Sequence, residues 1–113
     1  MAKSTPNVRD NKLFLNAHLD ALYLCDIDSP EWFDWLADCN QFRYQTTRRI
    51  HVIHDFTRPM RPISVRKEKR RSGFLWYANL RVHGTLYKRY VGRSSALTTE
   101  RLDHIASILN EIW

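Results

Sequence analysis

Phe74–Val82 and Thr85–Arg93 are two runs of aromatic, β-branched and long side chains separated only by His83-Gly84. A two-residue gap carrying glycine is a hairpin turn, with Gly84 supplying a positive φ. That turn sets the register. One face pairs Val82/Thr85, Leu80/Tyr87, Ala78/Arg89 and Trp76/Val91. The other pairs Arg81/Leu86, Asn79/Lys88 and Tyr77/Tyr90. The first set is mostly apolar and the second polar, cationic and aromatic. A slip of one residue would turn the charges into the core, so the pattern tolerates one pairing.

Ile63–Lys69 precedes this hairpin across Arg70-Arg71-Ser72-Gly73 and reads as a third strand, with Ile63 and Val65 on the core face and Ser64, Arg66 and Glu68 on the free one. Thr98 is a helix N-cap, and Leu102, Ile105, Ala106, Leu109, Ile112 and Trp113 form one apolar stripe after it. The predicted fold class is therefore α+β. A three-stranded antiparallel sheet packs on a C-terminal helix (β-β-β-α), preceded by a short tryptophan-rich helix and extra strand segments.

That upstream helix starts at Ser29-Pro30-Glu31, which offers an N-cap hydroxyl, proline at the first position and an acid facing the dipole. It runs through Trp32, Trp35 and Leu36 to about Cys39, with Asn40 as its stop. Residues 42–56 are β-branched and aromatic and read as one or two strands or a hairpin. Arg58-Pro59-Met60-Arg61-Pro62 interrupts the ladder donors and reads as a hinge. Residues 13–25 fit a helical stripe (Leu15, Leu19, Leu22) and an alternation (Leu19, Ala21, Tyr23) equally. The expected division is a flexible tail over 1–12, an acidic subdomain over 13–60 and a basic unit over 61–113, within one compact domain.

Charge follows the same division. The net charge is +6, yet residues 61–93 hold seven Arg and three Lys against Glu68 alone, leaving −3 for the rest. Residues 13–42 carry six acids and no Lys or Arg. Such segregation is the electrostatic footprint of a polyanionic partner. On the free face Arg66, Arg81 and Lys88 stand among Asn79, Tyr77 and Tyr90. Arginine reads guanine and asparagine reads adenine through paired hydrogen bonds, and tyrosines stack on bases or pair with each other across strands. Lys67, Lys69, Arg70 and Arg71 surround the first turn and suit phosphates. Arg89 and Arg93, at the end of the last strand, complete the candidate nucleic-acid-binding set.

Other chemistry is poorly represented. Cys25 and Cys39 lack the spacing of a disulfide framework or zinc ribbon and read as buried thiols. His51 and His54, three apart on a strand, point to opposite faces and make no metal site. Glu31, Asp34 and Asp38 form a solvated helix side. There is no phosphate-binding glycine loop and no evident acid–base pair, so the reading is non-enzymatic, with no cofactor, metal or small-molecule substrate. No apolar run approaches the ~18–20 residues that span a bilayer, and no signal h-region opens the chain, which points to a soluble intracellular protein without membrane contact.

Several segments taken together resemble a known module. Val65-Arg66-Lys67-Glu68-Lys69-Arg70, Trp76-Tyr77-Ala78, Lys88-Arg89-Tyr90-Val91-Gly92-Arg93-Ser94 and Leu97-Thr98-Thr99-Glu100-Arg101-Leu102 carry the likeness. Upstream, Ser29-Pro30-Glu31-Trp32-Phe33-Asp34-Trp35-Leu36 and Gln41-Phe42-Arg43-Tyr44 extend it. The pattern is similar to the N-terminal module of large LuxR-type, maltose-regulator-like bacterial regulators and to small stand-alone proteins of filamentous bacteria and cyanobacteria. The resemblance implies a strand before the tryptophan helix and a bacterial, cytoplasmic, nucleoid-associated protein. The β-β-β-α order is also similar, by fold analogy alone, to recombinase arm-binding and plant AP2-type domains, which lay a three-stranded sheet in the major groove.

The expected function is a DNA-binding module contacting duplex DNA through a basic sheet face, as a transcriptional regulator or mobile-element accessory factor. Two alternatives stand beside it: an adaptor docking a protein through the acidic, tryptophan-rich half, and an RNA-binding protein.

Overall fold

A computed structural model of the protein describes residues 5–15, 23–53 and 56–112. Seven strands form one sheet: β1 (Asn7–Arg9), β2 (Lys12–Phe14), β3 (Tyr23–Asp26), β4 (Gln41–Tyr44), β7 (Ile63–Arg70), β8 (Gly73–Val82) and β9 (Thr85–Gly92), in the order β3-β2-β1-β4-β7-β8-β9. β5 (Arg49–Ile53) and β6 (Phe56–Pro59) make a separate two-stranded sheet. Helices α1 (Pro30–Asp38) and α2 (Thr99–Asn110), with a 3-10 turn at Ser94–Ala96, complete the described elements.

This overturns the expected fold class. The protein is mostly β, and β7, β8 and β9 are part of a larger mixed sheet rather than a three-stranded sheet on one C-terminal helix. The difference arises where β4 pairs with β7 and in the first 26 residues. Asp10 (φ 52°) and Asn11 (φ 61°) form a tight turn with two positive φ angles, joining β1 to β2 within the expected tail. Each of these strands has three residues, too few for alternation to show. β1 lies parallel to β4, with Asn7 opposite Arg43 and Val8 opposite Tyr44. Parallel neighbours need a crossover connection, which β2, β3 and α1 supply. Residues 16–22 of the ambiguous 13–25 segment lie outside the described residues, as do His54 and Trp113.

The alternation that runs along each strand also runs across the sheet. Cys25, Leu13, Val8, Tyr44 and Ile63 are successive partners on one face, and so are Phe42, Val65 and Ala78. All eight are buried. Both helices cover this face. Ser29 caps α1, accepting from the Trp32 amide at 3.3 Å, and Trp32 and Leu36 are sealed beneath it. Trp32, Trp35, Phe42 and Trp76 form a chain of ring contacts with centroids 5.2–6.0 Å apart. Thr98 caps α2, accepting from the Arg101 amide at 3.2 Å, and the stripe of Leu102, Ile105, Ala106 and Leu109 is buried.

The buried polar groups are tied. The Tyr44 hydroxyl donates to Asp103 at 2.6 Å, and Arg48 bridges the other carboxylate oxygen at 3.2 Å. Burial, then the Asp103 hydrogen bond and charge, push the Tyr44 hydroxyl well above its ordinary range. Asn110 accepts from the Arg61 amide at 2.8 Å and donates to the Arg61 carbonyl at 3.2 Å. Arg58 donates to the Asn110 carbonyl at 2.9 Å, and Met60 is buried. The proline-rich segment read as a hinge is thus clamped to the end of α2. Cys25 is buried and Cys39 half-buried, both as free thiols, and burial raises Cys39 to about 11.

The β8–β9 register follows the sequence pattern from Val82/Thr85 to Tyr77/Tyr90. His83 (φ 49°) and Gly84 (φ 83°) form the turn. It departs at one place: Trp76 faces Gly92 instead of Val91, through a bulge. Gly92 is required there, because at φ 143° a Cβ would come within 2.7 Å of the Ala96 Cβ.

Candidate nucleic-acid interface

With both helices on one face, the other face of the sheet is open, and alternation decides what it carries. Arg66, Tyr77, Asn79, Arg81, Lys88 and Tyr90 stand on it, as the sequence pattern predicts, and so does Arg70, which the sequence reading assigns to the turn but which is the last residue of β7. The added strands extend it with residues that the charge count over 61–93 passed over. Arg43 lies between buried Phe42 and Tyr44, and Arg9 and Lys12 flank buried Val8 and Leu13. Among the described residues the open face therefore holds seven cations (Arg9, Lys12, Arg43, Arg66, Arg70, Arg81 and Lys88) against Asp26 and Glu68.

The remaining candidates lie elsewhere. Lys67 points to the helix side, where its Nζ donates to the carbonyls of Leu36 at 2.8 Å and Ala37 at 3.1 Å. The last turn of α1 has no basic residue of its own, so Lys67 supplies the charge and donors its C-terminus lacks. Its ammonium is thus engaged at the end of α1, on the side away from the open face. Lys69, opposite Phe74, and Arg89, opposite buried Ala78, also fall on the helix side, both exposed. Arg71 is in the β7–β8 turn, which has two residues instead of the four expected, and Arg93 lies near Gly73 at the same end of the sheet.

Tyr77 is the centre of a charged cluster. Its ring has the Lys88 ammonium 4.5 Å and the Arg70 guanidinium 5.2 Å from its centroid, and meets Tyr90 edge-on at 5.5 Å. The cross-strand tyrosine pair is thus structural, while half-exposed Tyr90 keeps surface for a ligand. Glu68 bridges Lys88 at 2.7 Å and Arg70 at 3.3 Å. The Lys88 hydrogen bond and the charges of Lys88, Arg70 and Arg66 hold its carboxyl below the usual range. Glu68 therefore occupies two cations that a phosphate would use. Glu68→Gln is expected to strengthen binding to a polyanion, by roughly three- to tenfold at low salt. Titration of both proteins against one oligonucleotide measures this, and weaker binding by the variant would contradict it.

One row across the open face runs Asn7–Arg43–Ser64–Asn79–Lys88. Short Ser64 and Asn79 between long side chains leave a depression. It is an open cleft of about 360 Å³, walled by Arg43, Arg61, Arg81 and Leu86. A second cleft of about 280 Å³, lined by Asn7, Arg9, Arg43, Gln45 and Pro62, adjoins it across Arg43.

Of the tryptophans that an adaptor would present, Trp32 is fully buried and Trp35 is half-buried, packed against Trp32 and Phe42. Among the described residues no cluster of three or more His, Cys, Asp or Glu is placed to hold a metal ion, and no helix is long and apolar enough to cross a membrane. Comparisons with protein-family models, curated proteins and solved structures find no match to this chain.

Proposed function

We propose that this chain is a DNA-binding module that takes an unpaired strand across the open face of its sheet. The observation that carries the reading is the division of charge by face, seven cations against two acids among the described residues on the side the helices leave uncovered. Sheet width favours a single strand over a duplex groove. The major groove, about 12 Å wide, admits a helix or a two-stranded ribbon. Seven strands set ~4.8 Å apart span roughly 29 Å, so the phosphate ridges would meet β4 and β1 before Asn79 or Arg81 reached base edges. The width of the sheet weighs against groove readout by those two residues, which the sequence reading expects of a three-stranded sheet. A strand laid on the face meets cations for its phosphates and exposed Tyr23, Leu86 and Tyr90 for its bases.

The test is a titration of one sequence as single-stranded DNA, duplex DNA and single-stranded RNA over a range of salt. Five to seven phosphates neutralised on a single strand correspond to a log–log slope of roughly −3.5 to −5. The single strand should bind at least about tenfold more tightly than the duplex. A tighter duplex, or a slope near zero, overturns the reading. RNA bound as tightly as DNA would mean that the face does not sense the 2′-hydroxyl.

A further inference from the structure

We infer that the cleft around Ser64 and Asn79 is a subsite for one unstacked nucleotide, held by its phosphate and by its base. The inference rests on the function proposed above and adds a place where the face selects, beyond attracting charge. The phosphate, the face of the base and its hydrogen-bonding edge each have a counterpart there. Arg43 and Arg81 stand on opposite walls. Arg81 spends one N–H on the Gly84 carbonyl at 2.9 Å and receives the Arg61 guanidinium on its own carbonyl at 2.9 Å. A guanidinium has five N–H donors, so Arg81 is anchored and still able to bind phosphate. Leu86, opposite Arg81 in the register and half-exposed, offers an apolar surface to a base. Asn79 on the floor presents a primary amide, one donor and one acceptor side by side, which matches the paired acceptor and donor of adenine. A cleft of about 360 Å³ is sized for a single nucleotide rather than a stacked pair or a bare anion.

Selection by shape and amide can be separated from attraction by charge. Ser64→Phe fills the floor of the cleft and leaves every charge in place. Asn79→Leu keeps the volume and removes the amide, and serves if Ser64→Phe does not fold. Each variant should bind a single-stranded adenine hexamer at least tenfold more weakly than the unaltered protein, with an unchanged salt slope. The unaltered protein should prefer the adenine hexamer to a cytosine hexamer. In NMR spectra its Asn79 side-chain amide should shift with adenosine 5′-monophosphate and not with inorganic phosphate. If both hexamers bind the unaltered protein and the folded variants alike, the subsite is overturned while the binding face stands. Equal shifts with inorganic phosphate would reduce the cleft to an anion site and overturn the nucleotide assignment. If no oligonucleotide binds the unaltered protein at any salt, the proposed function falls and the subsite with it.

Discussion

Trp32→Ala is expected to cost on the order of 3–5 kcal/mol, the range for removing a large aromatic side chain from a core. Trp32 is fully buried, contacts the rings of Trp35 and Phe42, and donates its indole N–H to the Leu97 carbonyl at 2.8 Å. That bond fixes α1 to the residue just before the N-cap of α2, so the change opens a cavity and also strands a buried carbonyl. Against a typical total of about 5–15 kcal/mol, such a loss leaves much of the population unfolded at modest temperature. Urea or thermal denaturation followed by circular dichroism measures it. Trp35→Ala, at a half-buried position, should cost less. An unchanged midpoint for Trp32→Ala would contradict the core described here.

The largest effect on binding is expected from Arg43→Gln combined with Arg66→Gln. The two residues lie on adjacent strands of the open face, Arg43 in β4 and Arg66 in β7. Losing two phosphate contacts on a single strand should make the salt slope shallower by about 1.4 and lower affinity by roughly ten- to a hundredfold near 50 mM salt. Arg49→Gln with Arg89→Gln removes the same charge from exposed positions off that face and should change affinity much less. Equal losses from the two pairs would show that net charge, and not the face, drives binding.

The sequence made some of this legible, for identifiable reasons. The His83-Gly84 turn fixes β8 against β9, and the mixture of apolar and charged partners allows one pairing, so the open-face positions of Tyr77, Asn79, Arg81, Lys88 and Tyr90 followed. The bulge at Trp76 did not, because it depends on Gly92 approaching Ala96, a contact with no local signal. The cap residues Ser29 and Thr98 mark both helices correctly. β1 and β2 were invisible because three-residue strands carry no period, and their single clue was Asp10-Asn11, a pair tolerant of positive φ between Val8 and Leu13. A parallel pairing such as β1 with β4 leaves no local mark at all.

The candidate site shows the same split. Arg43 could have been found from the alternation of Gln41-Phe42-Arg43-Tyr44, where two buried aromatics flank it. Lys67 and Arg89 carry the right charge, but the register sets each on the helix side. For Lys67 the deciding partner, the C-terminus of α1, lies 30 residues away in sequence.

The open face as binding surface is tested most directly by an arginine footprint. The protein is treated with a dicarbonyl reagent alone and with a saturating single-stranded oligonucleotide, and modification at each arginine is read by mass spectrometry. Protection is expected at Arg43, Arg66 and Arg81, with Arg49 and Arg89 modified at unchanged rates as exposed controls on other surfaces. Protection of Arg49 and Arg89 with continued modification of Arg43, Arg66 and Arg81 would contradict the assignment and move the nucleic acid to another side of the molecule.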